Sequence, residues 1–125
     1  MATIFELQNP PFGQLTKTKV IKTENGAHTL TTAEIIEGIV DGTPTGNRAI
    51  TTPTAAEIIS ALGTQSGVGK CFELTIVNKA ASTHKFTLTA GSGVTIVGEP
   101  DVTADSSGTF IFRVSSSTAV SAFRK

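Results

Sequence analysis

The strongest constraint on the fold is the alternation of apolar and polar residues in the second half of the chain. In four runs between residues 72 and 114, large apolar side chains occupy every second position. Successive side chains of a β-strand point to opposite faces of its sheet, so each run predicts a strand with one buried face. The predicted core comprises Phe72, Leu74, Ile76, Phe86, Leu88, Ala90, Val94, Ile96, Phe110, Phe112 and Val114, and a last strand near 118–124 adds Val120 and Phe123.

The links between these runs are short and rich in turn-forming residues. They occupy residues 78–83, 91–93, 98–101 and 105–108. Such links usually join antiparallel neighbours. The chain also contains 21 threonines, whose β-branched side chains suit a pleated, half-exposed surface. We therefore expect a mostly β domain, an antiparallel β-sandwich or barrel of meander or jelly-roll type, with residues 67–125 as its core.

Two similar segments in the middle of the chain predict two short capped helices. Each begins with a Thr-x-x-Glu motif, Thr31 with Glu34 and Thr54 with Glu57, in which hydroxyl and carboxylate can cap each other's backbone amides. Apolar residues follow at helical spacing: Ile35, Ile36, Ile39 and Val40 in the first segment, and Ile58, Ile59 and Leu62 in the second. Two copies are too few to predict a solenoid.

We expect a single domain of residues 1–125 with three parts, namely an arm at 1–14, a middle part at 15–66 and the β core at 67–125. Residues 15–66 hold the helices and two short strands, at 15–23 and 27–30, joined through the turn residues 24–26. We expect residues 1–14 to form an extended N-terminal arm, because Pro10 and Pro11 exclude a central strand. The arm carries the large apolar residues Ile4, Phe5, Leu7 and Phe12. It could pack on its own domain, or it could hold a neighbouring subunit or a capsid lattice.

Residues that could support catalysis or metal binding are few and scattered. His28 and His84 are both interpreted as solvated loop histidines, and neither has a second His or Cys at ligand spacing. Cys71 is expected to be a small buried residue at the start of a strand. Gly91 and Gly93 precede a β-run rather than a helix, which indicates a hairpin turn and not a phosphate loop.

The carboxylates and the overall charge likewise argue against catalysis and against nucleic-acid binding. Glu34 and Glu57 are explained as helix caps, and Glu37 is placed on the polar side of the first helix, so a glycosidase-like pair is not predicted. Ten basic residues balance ten acidic ones, which makes nucleic acid a poor partner. The sequence shows no signal peptide or membrane span, and we expect a soluble protein made in a cytoplasm. We expect no enzyme activity, cofactor, metal or small-molecule substrate.

The second face of the predicted strands suggests surface contact instead. It is mainly threonine, with Val77, Val97 and Ile111 at intervals. Either this is a solvated Thr-rich face, or these three aliphatic residues form part of an oligomer contact, because apolar patches on the outer face of a sheet tend to be covered.

Residues 51–114 resemble a module found in structural proteins of tailed phages and large DNA viruses. The segment TTPTAAEIISALGTQSGVGKC leads into FELTIVNKAASTHKFTLTAGSGVTIVGEPDVTADSSGTFIFRV. In that module, a capped Thr/Ala-rich helix precedes an F-x-L-T-I-x-N strand, a T-L-T-A-G-x-G-V-T-I-x-G hairpin and an S-G-T-F strand. The resemblance implies a capsid-decoration protein, commonly a trimer without a catalytic site.

What the resemblance implies can be stated as a function. We expect a virion structural protein that is made in the host cytoplasm and binds the capsid exterior as a homotrimer on the major capsid protein lattice. The alternative is the head of a viral fibre or spike that binds a host receptor. The expected interface residues are Ile4, Phe5, Leu7, Phe12, Val77, Val97 and Ile111.

Overall fold

The computed structural model describes residues 19–125, which form ten strands and two α-helices. The strands are β1 (Ile21–Thr23), β2 (His28–Thr29), β3 (Gly38–Gly42), β4 (Arg48–Thr51), β5 (Cys71–Asn78), β6 (Phe86–Thr89), β7 (Val94–Val97), β8 (Asp101–Val102), β9 (Ser106–Val114) and β10 (Val120–Arg124). The helices are α1 (Thr32–Ile35) and α2 (Ala55–Leu62), and a 3-10 turn at Gly63–Gln65 follows α2. The prediction of a mostly β domain with two short helices is confirmed.

Two mixed sheets face each other, and the chain passes back and forth between them. The six-stranded sheet has the order β1-β3-β5-β9-β10-β7, and the four-stranded sheet has the order β2-β4-β6-β8. Within the first sheet β1, β3 and β5 run parallel, and within the second β2, β4 and β6 do so. Residues 21–89 therefore form a short parallel winding, which the antiparallel partners β8 and β9 close at one end.

The expected antiparallel meander is thus wrong in its connectivity. Residues 24–26 and 91–93 do not close hairpins: the first turn carries the chain from the six-stranded to the four-stranded sheet, and the second carries it back. Antiparallel pairing holds for β5 with β9, β9 with β10, and β6 with β8. An alternating pattern shows which face of a strand is buried, but the pattern is the same for parallel and antiparallel neighbours.

The two similar middle segments are successive turns of this winding. One turn runs from β2 through α1 to β3, and the next runs from β4 through α2 to β5. Asparagine side chains link the loops of successive turns by hydrogen bonds. Asn25 Oδ1 accepts a hydrogen bond from the Thr43 amide at 2.8 Å, and Asn47 Oδ1 accepts one from the Lys85 amide at 3.2 Å. The antiparallel strands β8 and β9 end the winding after three turns, so the two similar segments do not extend into a longer repeat array.

Both predicted capping boxes are present, at Thr31 with Glu34 and at Thr54 with Glu57. The first helix is nevertheless a single turn, because Glu37 has a positive φ of 56° and the chain then enters β3. Ile39 and Val40, predicted on the helix stripe, are strand residues. Glu37 lies beyond the helix end rather than on its polar side. None of the helices in residues 19–125 has the length and apolar character needed to cross a membrane.

The backbone of Gly38 lies close to the backbone of Glu34 in α1. A Cβ atom at this position would lie 1.7 Å from the Glu34 carbonyl oxygen. We expect Gly38→Ala to lower the free energy of unfolding by about 1–3 kcal/mol, since the junction of α1 and β3 must shift to make room. Urea denaturation checks this, with Gly67→Ala as the control, because a Cβ at Gly67 meets no atom within 4 Å. Equal stability of the two variants would show that the junction is loosely packed.

The core lies between the sheets and follows the predicted alternation. Ten predicted core residues are buried, namely Phe72, Leu74, Ile76, Phe86, Leu88, Val94, Phe110, Phe112, Val114 and Val120. Ala90 is exposed, Ile96 is only partly buried, and Phe123 keeps 40% of its surface exposed. Phe123 was assigned to the wrong face: Val120 and Ala122 point inward, so the alternation of β10 directs Phe123 outward.

Candidate interaction surface

The outer face of the six-stranded sheet carries an exposed apolar row. Phe123 on β10 is in register with Ile111 on β9 and with Val97 on β7, so the three side chains are cross-strand neighbours. Phe123 is the middle residue of the three and is 40% exposed, Val97 on one side of it is 46% exposed, and Ile111 on the other side is half-buried. We refer to Val97, Phe123 and Ile111 as the apolar row.

Two of the three predicted sheet residues belong to this row. Val77, the third, also lies on the outer face, but it is in register with Ser107, four residues along β9 from Ile111. Four strand residues correspond to roughly 13 Å. Sequence reasoning missed Phe123 as a surface residue, although its odd spacing from Val120 was the signal that could have identified it.

A second exposed apolar position lies at the opposite edge of the same sheet. Ile21 on β1 is 63% exposed and is in register with the half-buried Ile39 on β3. Between this edge and the apolar row, Thr75 and Thr109 join their hydroxyl groups at 3.0 Å. The outer face therefore has apolar residues towards both edges and a polar centre.

A charged pair borders the apolar row. Glu73 is in register with Ile111, and its carboxylate contacts Lys125 Nζ at 3.4 Å. Exposed ion pairs of this kind stabilise a fold by only about 0–1 kcal/mol. This pair gives the Ile111 end of the apolar row a charged border, and polar groups border the apolar centres of protein interfaces.

The outer face of the four-stranded sheet is different. Thr29, Thr51 and Thr89 occupy one row across β2, β4 and β6. Next to them, the Asp101 carboxylate accepts hydrogen bonds at 2.6 Å from both Lys85 Nζ and Thr87 Oγ1. The bond from Lys85, followed by the bond from Thr87, lowers the pKa of Asp101. This face presents hydroxyl groups and a paired charge, so it suits contact with water.

The four arm residues in the predicted interface lie outside the described residues. Ile4, Phe5, Leu7 and Phe12 all precede Lys19, where the described part of the chain begins. Their role in an interface stays a prediction.

His28 is not the solvated loop residue expected from the sequence. Its Nε2 atom lies 3.0 Å from Glu34 Oε1, its Nδ1 atom lies 3.7 Å from Glu24 Oε2, and Lys22 Nζ lies 3.8 Å from Glu34 Oε2. Burial raises the pKa of Glu34, but hydrogen bonds from the Thr31 amide and His28 outweigh burial, so the pKa is lowered. These side chains form an ionic cluster at the first turn of the winding, where terminal turns need polar cover.

The other candidate chemical groups are not brought together. His84 lies in the loop before β6, as expected, far along the chain from the His28 cluster. Glu57 is engaged in capping α2. Within residues 19–125, no three His, Cys, Asp or Glu side chains are arranged to hold a metal ion.

Cys71 is exposed, which contradicts its expected burial. Cys71 is the first residue of β5 and lies on the same face of the strand as Glu73, whereas Phe72 between them points into the core. The alternation that buries Phe72 therefore turns Cys71 outward. Cys71 is in register with Arg113 on the same outer face as the apolar row.

A hydroxyl-lined cavity of about 510 Å³ lies where β2 and β4 lead into the two helices. Thr29, Thr51 and Thr54 contribute to its walls, together with Glu57. The Glu57 carboxylate is occupied by the amide of Thr54 at 3.0 Å. Helix capping therefore accounts for the placement of Glu57 in the wall of this cavity.

The lowered pKa values of Glu34 and Asp101 predict loss of stability in acid. Their ordinary values are 4.5 and 3.8, and a carboxyl with a lowered folded-state pKa stabilises the fold above its unfolded-state pKa. That contribution disappears as the pH falls through the folded-state pKa. We expect Asp101→Asn to reduce the stability difference between pH 7 and pH 3 by about 0.5–1 kcal/mol in urea denaturation.

A matched control for this pH test is Asp105→Asn. The Asp105 side chain is exposed, and within residues 19–125 it makes no hydrogen bond or ion pair. Asn also tolerates the positive φ of 55° at this position. If both variants have the pH dependence of the parent protein, the Asp101 network does not contribute to acid sensitivity.

Comparisons with known proteins returned no match: neither a family model nor a curated protein nor a solved structure matches this chain.

Proposed function

We propose that this protein is a non-enzymatic virion component that decorates and stabilises the outer surface of a phage capsid as a homotrimer. The observation that carries the proposal is the apolar row of Val97, Phe123 and Ile111 on the outer face of the six-stranded sheet. Exposed apolar positions that adjoin one another on a sheet are unfavourable in water and favour coverage by a partner.

The distribution of the remaining groups supports a binding role over a chemical one. The ionic cluster around His28 closes the first turn of the winding, and both Thr-x-x-Glu motifs cap helices. Both assignments give these polar groups structural roles.

The resemblance to phage structural modules supports the same proposal. It covers residues 51–114, which run from the end of β4 through α2 to the end of β9. This segment contributes β5 and β9, the central pair of the six-stranded sheet. The segment that resembles the viral module therefore includes Val97 and Ile111 of the apolar row.

A shell-binding assay tests the proposal. The purified full chain is mixed with shells of the virus that encodes it, prepared without the protein, and bound protein is measured by co-sedimentation. We expect saturable binding and a higher disruption temperature of the shells, because a decoration protein adds contacts that must break before the lattice opens.

The same experiment separates the alternative function. A fibre or spike head would bind host cells and leave the disruption temperature of shells unchanged. Absence of shell binding at concentrations up to about 100 µM, with binding to cells, would contradict the decoration role, because even a weak specific contact of about −5.5 kcal/mol is detected there.

A further inference from the structure

We propose that Asn25 is a site of self-modification, at which the turn between β1 and β2 converts the asparagine to aspartate or isoaspartate. Asn25 is exposed and lies with Gly26 in a bend outside the helices and strands. The conversion requires a nucleophilic nitrogen, a base that takes its proton, and a donor that stabilises negative charge on the amide oxygen. The structure places a group in each of these roles. Water is the only other reactant, so the reaction does not depend on capsid binding.

The reaction is an internal acyl transfer. The Gly26 backbone nitrogen forms a bond with Asn25 Cγ and gives up its proton, while the Cγ–Nδ2 bond breaks and Nδ2 leaves as ammonia. The product is a cyclic imide that joins the two residues. Water then opens either carbonyl of the imide, which gives aspartate or, with the main chain passing through the former side chain, isoaspartate. No atom changes its oxidation state.

The Gly26 amide already contacts a base. Its N–H group donates a hydrogen bond to Glu24 Oε1 at 3.0 Å. This distance lies within the reach of about 2.6–3.2 Å that general-base catalysis requires. The other oxygen of the same carboxylate, Oε2, lies 3.7 Å from His28 Nδ1 and 4.0 Å from Lys22 Nζ. The base is thus oriented by neighbouring groups, as is typical of activated nucleophiles.

The Asn25 side-chain carbonyl also has a fixed donor. The Thr43 backbone amide donates to Asn25 Oδ1 at 2.8 Å. Attack at Cγ moves negative charge onto Oδ1, and a donor held at about 2.7–3.1 Å stabilises that charge as it develops. Thr43 lies in the loop after β3, so only the folded chain supplies this donor.

The shape of the turn does not require a glycine at position 26. Gly26 is not in the left-handed region of φ, and a Cβ atom there would meet only Glu24 Oε1, at 3.5 Å. The absence of a side chain does leave the Gly26 nitrogen open to approach by Asn25 Cγ, since glycine permits close contact with its backbone. Glycine at this position therefore suits the reaction more than the turn.

Asn47 occupies the equivalent corner of the next turn and lacks two of these features. Its Oδ1 atom also accepts from a backbone amide, that of Lys85, at 3.2 Å. The following residue, however, is Arg48, whose backbone N–H donates to the Lys85 carbonyl at 2.9 Å. The nitrogen that would attack Asn47 is thus held by strand pairing and carries no neighbouring base. Asn47 is an internal control within the same chain.

The other two asparagines are also unsuited to the reaction. Asn78 is buried, and the N–H group of the next residue, Lys79, donates to the Gly42 carbonyl at 2.8 Å. Asn9 precedes Pro10, which has no N–H group. Asn25 is therefore the asparagine at which we expect conversion.

The conversion would alter the corner that leads out of β1. It replaces a neutral amide with a carboxylate beside Glu24, and isoaspartate also lengthens the main chain by one methylene group. The same corner is fixed by the Glu24 amide, which donates to the Asp41 carbonyl at 2.9 Å. Charge and backbone length would thus change where β1 joins the winding.

Ageing of the purified full chain tests the proposal. Native protein and protein unfolded in guanidinium chloride are incubated at the same neutral pH and temperature. Tandem mass spectrometry of proteolytic peptides follows the mass gain that accompanies replacement of NH2 by OH at each asparagine. We expect Asn25 to convert at least about tenfold faster in the native protein, because only the fold positions the base and the donor. An equal or slower rate in the native protein overturns the proposal.

Glu24→Gln separates the base from the hydrogen bond. Glutamine keeps an oxygen that accepts from the Gly26 N–H group but cannot take its proton. We expect conversion of Asn25 in the native variant to slow at least about tenfold and the rate in the unfolded chain to stay the same. Circular dichroism checks that the variant is folded. An unchanged native rate would show that Glu24 only holds the turn, which contradicts the proposal.

Gly26→Ala is a second variant, which the turn accommodates because the added Cβ makes only an ordinary contact. The methyl group crowds the attacking nitrogen, so we expect conversion of native Asn25 to slow at least about tenfold. In the native parent protein Asn47 should stay an amide over the same period. Conversion of Asn47 at the rate of Asn25 would mean that the fold does not select the site, and the proposal would be wrong.

Discussion

Replacing Phe112 with Ala is expected to lower the free energy of unfolding by about 3–5 kcal/mol. Phe112 lies in the centre of the six-stranded sheet and has no exposed surface. Its ring stacks on that of Phe72, with centroids 5.1 Å apart and planes inclined by 5°. Removal leaves a cavity between the two sheets and takes away this aromatic contact. Urea denaturation monitored by circular dichroism measures the loss, which is a large share of the stability of a small domain.

Phe123→Ala is the matched control for this prediction. It removes the same side chain from the adjacent strand, where Ala122 and not Phe123 shares the inward face with Phe112. Because Phe123 is 40% exposed, we expect a loss below about 1 kcal/mol. A larger loss for Phe123→Ala than for Phe112→Ala would mean that the buried and exposed faces of the sheet are reversed.

Deleting residues 2–12 is expected to leave the β core folded and to weaken assembly or shell attachment at least tenfold, which is about 1.4 kcal/mol. The deletion removes Ile4, Phe5, Leu7 and Phe12, whereas the ten strands and the core lie within residues 19–125. Ordering an arm on a partner costs about 1–2 kcal/mol per residue in backbone entropy, so burial of its apolar groups must offset that cost. Thermal melting and shell co-sedimentation provide the two measurements.

A full-length variant controls for the loss of chain length. Changing the four large apolar arm residues to Ser keeps the full chain length and both prolines but removes the apolar side chains that would be buried. We expect the same weakening of assembly as in the deletion. If the deleted protein instead melts at a much lower temperature as a monomer and attaches to shells as before, the arm belongs to the core of its own subunit.

Local features of the chain could be predicted from the sequence because neighbouring residues determine them. The inward positions of β5, β6 and β9 follow from a two-residue period that any half-buried strand must show. The capping boxes at Thr31 and Thr54 follow from side chains that reach amides three residues away. Exposure of Phe123 also belongs here, since the alternation of β10 already requires it once Val120 is assigned to the core.

The tertiary structure alone decided which strands are neighbours and in which direction they run. Turn residues at 24–26 and 91–93 can reverse the chain within one sheet or lead it from one sheet to the other. Only the packing of the two sheets against each other determines that the chain changes sheet at these turns. Strand pairing between residues far apart in the chain brings Val97, Phe123 and Ile111 into one row. Such contacts depend on the burial of a shared core, which no local pattern contains.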